Sequence, residues 1–359
     1  MLWLAVIVFV VLLLALVLVH EWGHFIAAKK AGCNVEEFGF GFPPKLWSFT
    51  WHGTEYSLNL LPIGGFVKIE GEDMAEQSPA PTSFASKSAS WRVVILAAGG
   101  VMNIVLAWVL LSVQGVIGVP TLITEDNAAT LTKTQTYILE VQPGSPAAEA
   151  GLAELDRIVS IDDLATPTIQ SIQQHTAERA GEPLELVVSR QGATQELSVT
   201  PRVDPPPGEG ALGISLASTG LATVPWWQAP WHGLQRTGLL LMAIVTQFGI
   251  ILGQLFSTGS VGGDLAGPVG IAVLTNEATT LGLPYVLEFG ALISLNLALI
   301  NILPFPALDG GRIAFVLLEV LRGGKRLASQ VEQYIHTAGF ALLILLMVWI
   351  TFRDVGRFF

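Results

Sequence analysis

Residues 2–25, LWLAVIVFVVLLLALVLVHEWGHF, run apolar from Leu2 to Val19 and then enter His20-Glu21-Trp22-Gly23-His24 without a break in the helical pattern. A run of that length reads as a membrane-spanning helix. Ionisable side chains at membrane depth are costly, so their presence there is a sign of function by default. No basic segment precedes the run and no small-residue cleavage site follows it. It therefore reads as a retained span with its N-terminus outside, and not as a signal peptide.

HEWGH is an instance of H-E-x-x-H. Residues four apart share a helix face, so His20 and His24 can both reach one metal ion. Glu21 lies about 100° further round the helix, beside the metal, where it can take a proton from water. Zinc accepts imidazole nitrogen, and its catalytic sites use three protein ligands plus an open position for water. The bland alternative is a pair of helix-end histidines satisfied by backbone carbonyls. It explains neither the glutamate nor the depth.

Composition agrees with a membrane protein. Of 359 residues, 51% are hydrophobic and 13% charged, and the mean hydropathy is +0.58; soluble proteins carry about 25% charge. The net charge of −11 is concentrated, with 14 Asp/Glu against 5 Lys/Arg between Gly118 and Gln235. No basic stripe suggests nucleic acid as a partner. A single cysteine, Cys33, excludes an internal disulfide.

Hydropathy marks five candidate spans, at 2–25, 92–117, 237–256, 285–303 and 334–352. Between the first two, residues 36–70 interleave aromatic and apolar residues with glycine at strand-like spacing. They predict a β-hairpin or small sheet too apolar for water. Such backbone enters a membrane only when buried in protein or lining a wet cavity. Residues 121–205 predict a soluble module of short strands (136–141, 156–162, 185–190, 194–200) with a helix near 168–180. The breaker-rich DPPPGEG (204–210) follows as a linker.

Lys29, Lys30, Lys45, Lys68, Lys87 and Arg92 follow the first span, and Arg312, Arg322, Lys325 and Arg326 precede the last. Basic loops mark the cytoplasmic side, which places the acidic module outside. A full crossing by 237–256 would invert the second basic loop, so that segment is expected to be interfacial or re-entrant, leaving four spans. The expected fold is a polytopic α-helical membrane protein of about four transmembrane helices plus a membrane-associated β-hairpin, with an inserted α+β module. Its expected divisions are an N-terminal membrane domain at 1–117, the module at 121–205, a linker and helix at 206–284, and a C-terminal membrane domain at 285–359.

A third metal ligand is needed. His52, His175, His232 and His336 lie at no second apolar helix terminus. Asp309 does better, in NILPFPALDGGR (301–312) directly after the 285–303 span. By the topology above, that span and the first end on the same side, so His20, His24 and Asp309 can meet. A carboxylate is an ordinary third zinc ligand; the competing reading is a turn residue before Gly310-Gly311.

HEWGH in a first span, with Asn301, Pro304, Pro306, Leu308, Asp309 and Gly310 as N-x-x-P-x-P-x-L-D-G before the last, resembles the site-2 protease family. QPGSPAAEAGLAELDRIVSID (142–162) resembles a PDZ domain, and the whole chain is similar to bacterial regulated-intramembrane-proteolysis metalloproteases with one such domain. The resemblance implies one zinc ion per chain, held by His20, His24 and Asp309, with Glu21 as general base. It implies cleavage of single-span membrane proteins, such as anti-sigma factors or remnant signal peptides, in a bacterial cytoplasmic membrane with the active site toward the cytoplasm. It makes the glycine-rich hairpin a re-entrant substrate-binding element carrying Gly39, Gly41, Gly64 and Gly65. Asn296 and Asn301 match family asparagines that contact substrate, with interhelical hydrogen bonding an equal alternative. Ala97–Gly100 form a small-residue patch for close helix approach, and Asn103 beside them reads as packing. The competing class is a noncatalytic PDZ-containing membrane adaptor with a structural metal site. Such sites usually have four protein ligands, and three candidates are found here.

Overall fold

The computed structural model describes residues 2–72, 80–123, 131–165, 168–190, 193–206, 208–258 and 267–358. The chain begins with helix α1 (Leu2–Lys30), strands β1 (Val35–Trp51) and β2 (Thr54–Ile69), and helix α2 (Ala89–Ile117). Next come β3 (Val119–Leu122), β4 (Thr132–Val141), α3 (Pro146–Glu149), β5 (Arg157–Ile161), β6 (Leu164–Ala165), α4 (Ile169–Glu178), β7 (Leu184–Arg190), β8 (Ala193–Val199) and β9 (Ile214–Ala222). Helices α5 (Ala229–Thr258), α6 (Pro268–Leu281), α7 (Leu283–Ile302), α8 (Asp309–Leu321) and α9 (Ser329–Phe358) complete it. Two compact units result, one of residues 2–112, 230–279 and 286–359, the other of 113–229 with 280–285.

In the first unit, small residues set the helix spacing. A Cβ on Gly23 would overlap the carbonyl of Ala98, so α1 and α2 touch backbone to backbone there. Ala107 and Leu111 of α2 pack on Ala291 and Leu295 of α7, with Leu240, Leu241 and Ile244 of α5 against them. Ser294 Oγ donates to the Asn103 carbonyl at 2.7 Å, tying α7 to α2. Lipid supplies no hydrophobic drive between helices, so close packing and hydrogen bonds of this kind hold them. Helices α1, α2, α5, α7 and α9 are all long and apolar enough to cross a membrane. Length and hydropathy alone therefore do not set α5 apart.

The β texture expected over 36–70 forms β1 and β2. His52 (φ 47°) and Gly53 (φ 74°) make the two-residue turn between them, with the positive φ pair that a tight hairpin of primed type requires. Both strands bend. Residues 47–51 pair with 54–58, which also pair with 37–40, and 35–40 pair again with 65–69. The result is four antiparallel arms with 65–69 at one edge. Leu46, Trp47, Phe49 and Trp51 on the opposite arm are 47–61% exposed, an apolar surface suited to lipid.

The second unit is built on an antiparallel sheet of order β3-β9-β4-β5-β7-β8, with β6 on β5. Ile138, Ile158, Ile161, Ile172, Leu184, Leu186 and Val188 are its core. Thr168 caps α4 by accepting from Ser171 N at 3.1 Å. The sheet extends beyond the expected end at 205. Residues 214–222, read as linker, form β9 between β3 and β4. Its ISLASTGLA sequence alternates too weakly to announce a strand, and the sheet supplies the hydrogen bonds that define it.

A metal-type cluster beside a sheet edge

His20 and His24 project from the C-terminal half of α1 (Leu2–Lys30) with 7% and 9% exposure. Asp309 reaches them as the first residue of α8. The Pro304–Leu308 turn folds tightly enough that a Cβ on Gly310 would overlap the carbonyls of Ile302 and Leu303. His336 of α9 supports this turn, its Nδ1 accepting from the Ala307 amide at 2.9 Å, where Ala307 sits at φ 74°.

The three donor atoms converge. His20 Nε2 and His24 Nε2 are 3.2 Å apart, and Asp309 Oδ2 lies 3.1 Å from the first and 3.5 Å from the second. Bonds of about 2.05 Å in a tetrahedral zinc site put ligand atoms about 3.3 Å apart, which these separations match. Asp309 Oδ2 is buried without a hydrogen bond. His24 Nδ1 lies 2.8 Å from the Ile95 carbonyl; a carbonyl only accepts, so Nδ1 carries the proton and Nε2 of the neutral ring presents a lone pair. A cation satisfies such a cluster. Among the described residues this is the one group of three or more His, Cys, Asp or Glu able to hold a metal. The residues present fit zinc.

Glu21 and His24 line a cavity of about 430 Å³ together with Asp309, Arg312, Glu72 and the sheet edge Phe66–Ile69. Arg312 is ion-paired with Glu72. Asn301 Nδ2 comes within 3.4 Å of His20 Nε2. The arrangement offers three metal donors, an adjacent carboxylate and a strand edge in one polar hollow, the equipment for adding water to a backbone carbonyl.

The other expected residues are distributed differently. Asn296 is on an exposed face of α7, and its amide donates to Leu292 O at 2.8 Å. A Cβ on Gly39 would overlap the Phe66 ring, and Gly41 takes φ 76° against the Leu61 carbonyl, so both serve the hairpin's own packing. Gly64 takes φ 98° beside Phe42, whereas a Cβ on Gly65 would lie 3.6 Å from Glu21 Cγ. The edge residues 66–69, Glu72 and Arg312 were not singled out from sequence as site residues, because strand order and the turn after α7 are nonlocal. His175, rejected as a ligand, lies 2.8 Å from Asp162. The hydrogen bond it donates, with one from the Glu185 amide, holds that carboxyl below its ordinary range.

Comparison with known proteins is consistent along the whole chain. The family model described as Peptidase family M50 matches residues 8–346. The zinc metalloprotease RasP of Oceanobacillus iheyensis is 31% identical, covering 99% of each chain. That of Geobacillus kaustophilus is 30% identical over 99% of this chain and 98% of its own. The regulator of sigma-W protease RasP of Bacillus subtilis is 28% identical over 99% of both. With a match this continuous from the first helix to the last, the chain belongs to peptidase family M50, the site-2 proteases, and is a zinc-dependent intramembrane metalloendopeptidase.

Proposed function

We propose that His20, His24 and Asp309 hold the zinc ion and that Glu21 is the general base. The observation that carries this is the convergence of the three donor atoms at tetrahedral spacing in the cavity that Glu21 lines. Zinc, when bound, supplies a Lewis acid that makes water nucleophilic near neutral pH and polarises a carbonyl. Glu21 takes one proton from the attacking water and delivers it to the departing amide nitrogen as the peptide C–N bond breaks. Asn301 donates to the carbonyl oxygen as negative charge develops there. Three donors and an open position favour this over a closed structural site.

The substrate is a transmembrane segment of a single-span protein, unwound locally and added as a strand to the edge at 66–69. A closed helix hides its scissile carbonyl in its own ladder, whereas strand addition fixes backbone by backbone and leaves the peptide bond open to attack. The name of the B. subtilis relative links that protein to sigma-W; we extend this to anti-sigma factors as one substrate class here. Four of the five apolar helices cross the membrane, with the metal site toward the cytoplasm and the 119–222 sheet, a PDZ-like module, outside.

The test is cleavage of tagged single-span substrates in proteoliposomes by wild type and Glu21→Gln. Zinc content should be unchanged and cleavage should fall by a factor of about 10² or more. Equal cleavage by both would remove Glu21 from the chemistry.

A further inference from the structure

Asn103 sits in the middle of α2 with none of its surface exposed. Its Nδ2 lies 3.2 Å from His20 Nδ1, while its Oδ1 is buried without a hydrogen-bond partner. The two imidazoles are thus held differently from behind. His24 is backed by a carbonyl, which accepts only and fixes its tautomer. His20 is backed by a carboxamide, which can donate or accept depending on which way it faces.

We propose that Asn103 is the positioning residue that sets the metal-binding tautomer of His20. This rests on the assignment of His20 Nε2 as a zinc ligand. As placed, the Asn103 amide donates to Nδ1, which puts the proton of the neutral ring on Nε2, facing His24 Nε2 at 3.2 Å. Asn301 Nδ2, which can only donate, lies 3.4 Å from the same Nε2 and favours the opposite tautomer, so the two amides pull the ring both ways. Ligation needs the lone pair on Nε2 and the proton on Nδ1. A half-turn of the carboxamide, which exchanges two atoms of nearly equal size, puts Oδ1 where Nδ2 stood and lets it accept from Nδ1–H. With Oδ1 unpartnered in the present orientation, its hydrogen bonding offers little to hold the group against turning.

Placement of the group is fixed from outside the site. Ser294 Oγ donates to the Asn103 backbone carbonyl, and Gly99 one turn earlier brings α2 against both imidazoles. A hydrogen bond of this kind orients a ligating histidine and raises its basicity, and its loss costs about 10–100-fold in metal affinity.

The test is competition between the purified full-length chain and a chromophoric zinc chelator, for wild type, Asn103→Leu, Asn103→Asp and His20→Ala, with thermal melting of each metal-free form. Asn103→Leu is expected to weaken zinc binding about 10–100-fold; it also leaves the buried His20 Nδ1 unpaired, and the metal-free melts report that loss separately. Asn103→Asp, an acceptor in either orientation, is expected to bind zinc more tightly than wild type. That arm decides the matter alone should the leucine variant fail to fold. Unchanged affinity in Asn103→Leu, or weaker binding in both variants, overturns the proposal while leaving the zinc site intact. Wild-type affinity in His20→Ala overturns the ligand assignment itself, a separate result.

Discussion

At the scale of single residues, the site depends on what is missing from Gly99. A Cβ there would overlap Nε2 of His24 and the ring of His20, whereas one on Gly100 would meet the Ala298 carbonyl at an ordinary 3.5 Å. Gly99→Ala should therefore push α2 off the imidazoles, with an overpacking cost of about 1–3 kcal/mol and loss of most bound zinc. Gly100→Ala should keep wild-type zinc content. Metal analysis of the two variants checks this, and equal retention would show that the helices relax around Gly99. The adjacent glycines look alike in sequence, and Ala97–Gly100 was legible only as a small-residue patch. His20, Glu21 and His24 were legible because their relation is local, fixed by helical period. Asp309 was legible because a polar residue at the broken end of an apolar run has few other uses. Asn103 read as packing beside the first helix, and it is buried there; its contact with His20 Nδ1 was not legible, because nothing in α2 says which face meets His20.

At the scale of elements, the edge arm 65–69 carries the substrate hypothesis. Alternate residues along an edge strand turn their N–H and C=O outward, and the others bond the neighbouring arm. Val67 pairs with Phe38 and Lys68 with Glu37, and both residues line the cavity that Glu21 and Asp309 share. Proline removes an N–H. Of Val67→Pro and Lys68→Pro, one should damage the hairpin, and the other should keep its stability and zinc while slowing cleavage by about tenfold or more, as expected for a lost backbone bond of about 1.4 kcal/mol. Full cleavage by both variants would dismiss strand addition. The hairpin's existence was legible from aromatic–glycine alternation and the His52-Gly53 turn. Its fourfold arm order was not, because each strand bends and pairs twice. The same limit hid β9, whose weak alternation is outweighed by pairing on both sides.

At the scale of the molecule, the open matter is whether α5 crosses the membrane, and its answer follows from where its neighbours end. Helix α9 begins beside the basic loop, and Asp354 lies 25 residues on, about 38 Å along the axis. There its carboxylate accepts from Gly267 N at 2.9 Å and Gly270 N at 2.7 Å, satisfying the free amides that start α6. Gly267 is therefore at the far end of the bundle. Gly233, near the start of α5, abuts Ser112 of α2, itself 23 residues or about 35 Å from that helix's basic start. On the proposed four-span topology both flanks of α5 belong to the same side. Were α5 to cross, the chain would have to return from Thr258 to Gly267. Nine residues of helix cover about 14 Å, well short of the ~30 Å hydrocarbon. Fully extended they reach about 32 Å, but as irregular backbone that lipid does not tolerate. This converges with the Lys/Arg asymmetry, although α5 matches the crossing helices in length and hydropathy. In a Cys33→Ser background, single cysteines at Trp231 and Gln254 should both react with an impermeant maleimide added outside intact spheroplasts. Reaction of residue 254 only after permeabilisation would make α5 a fifth span and carry the 312–326 basic loop to the outer face.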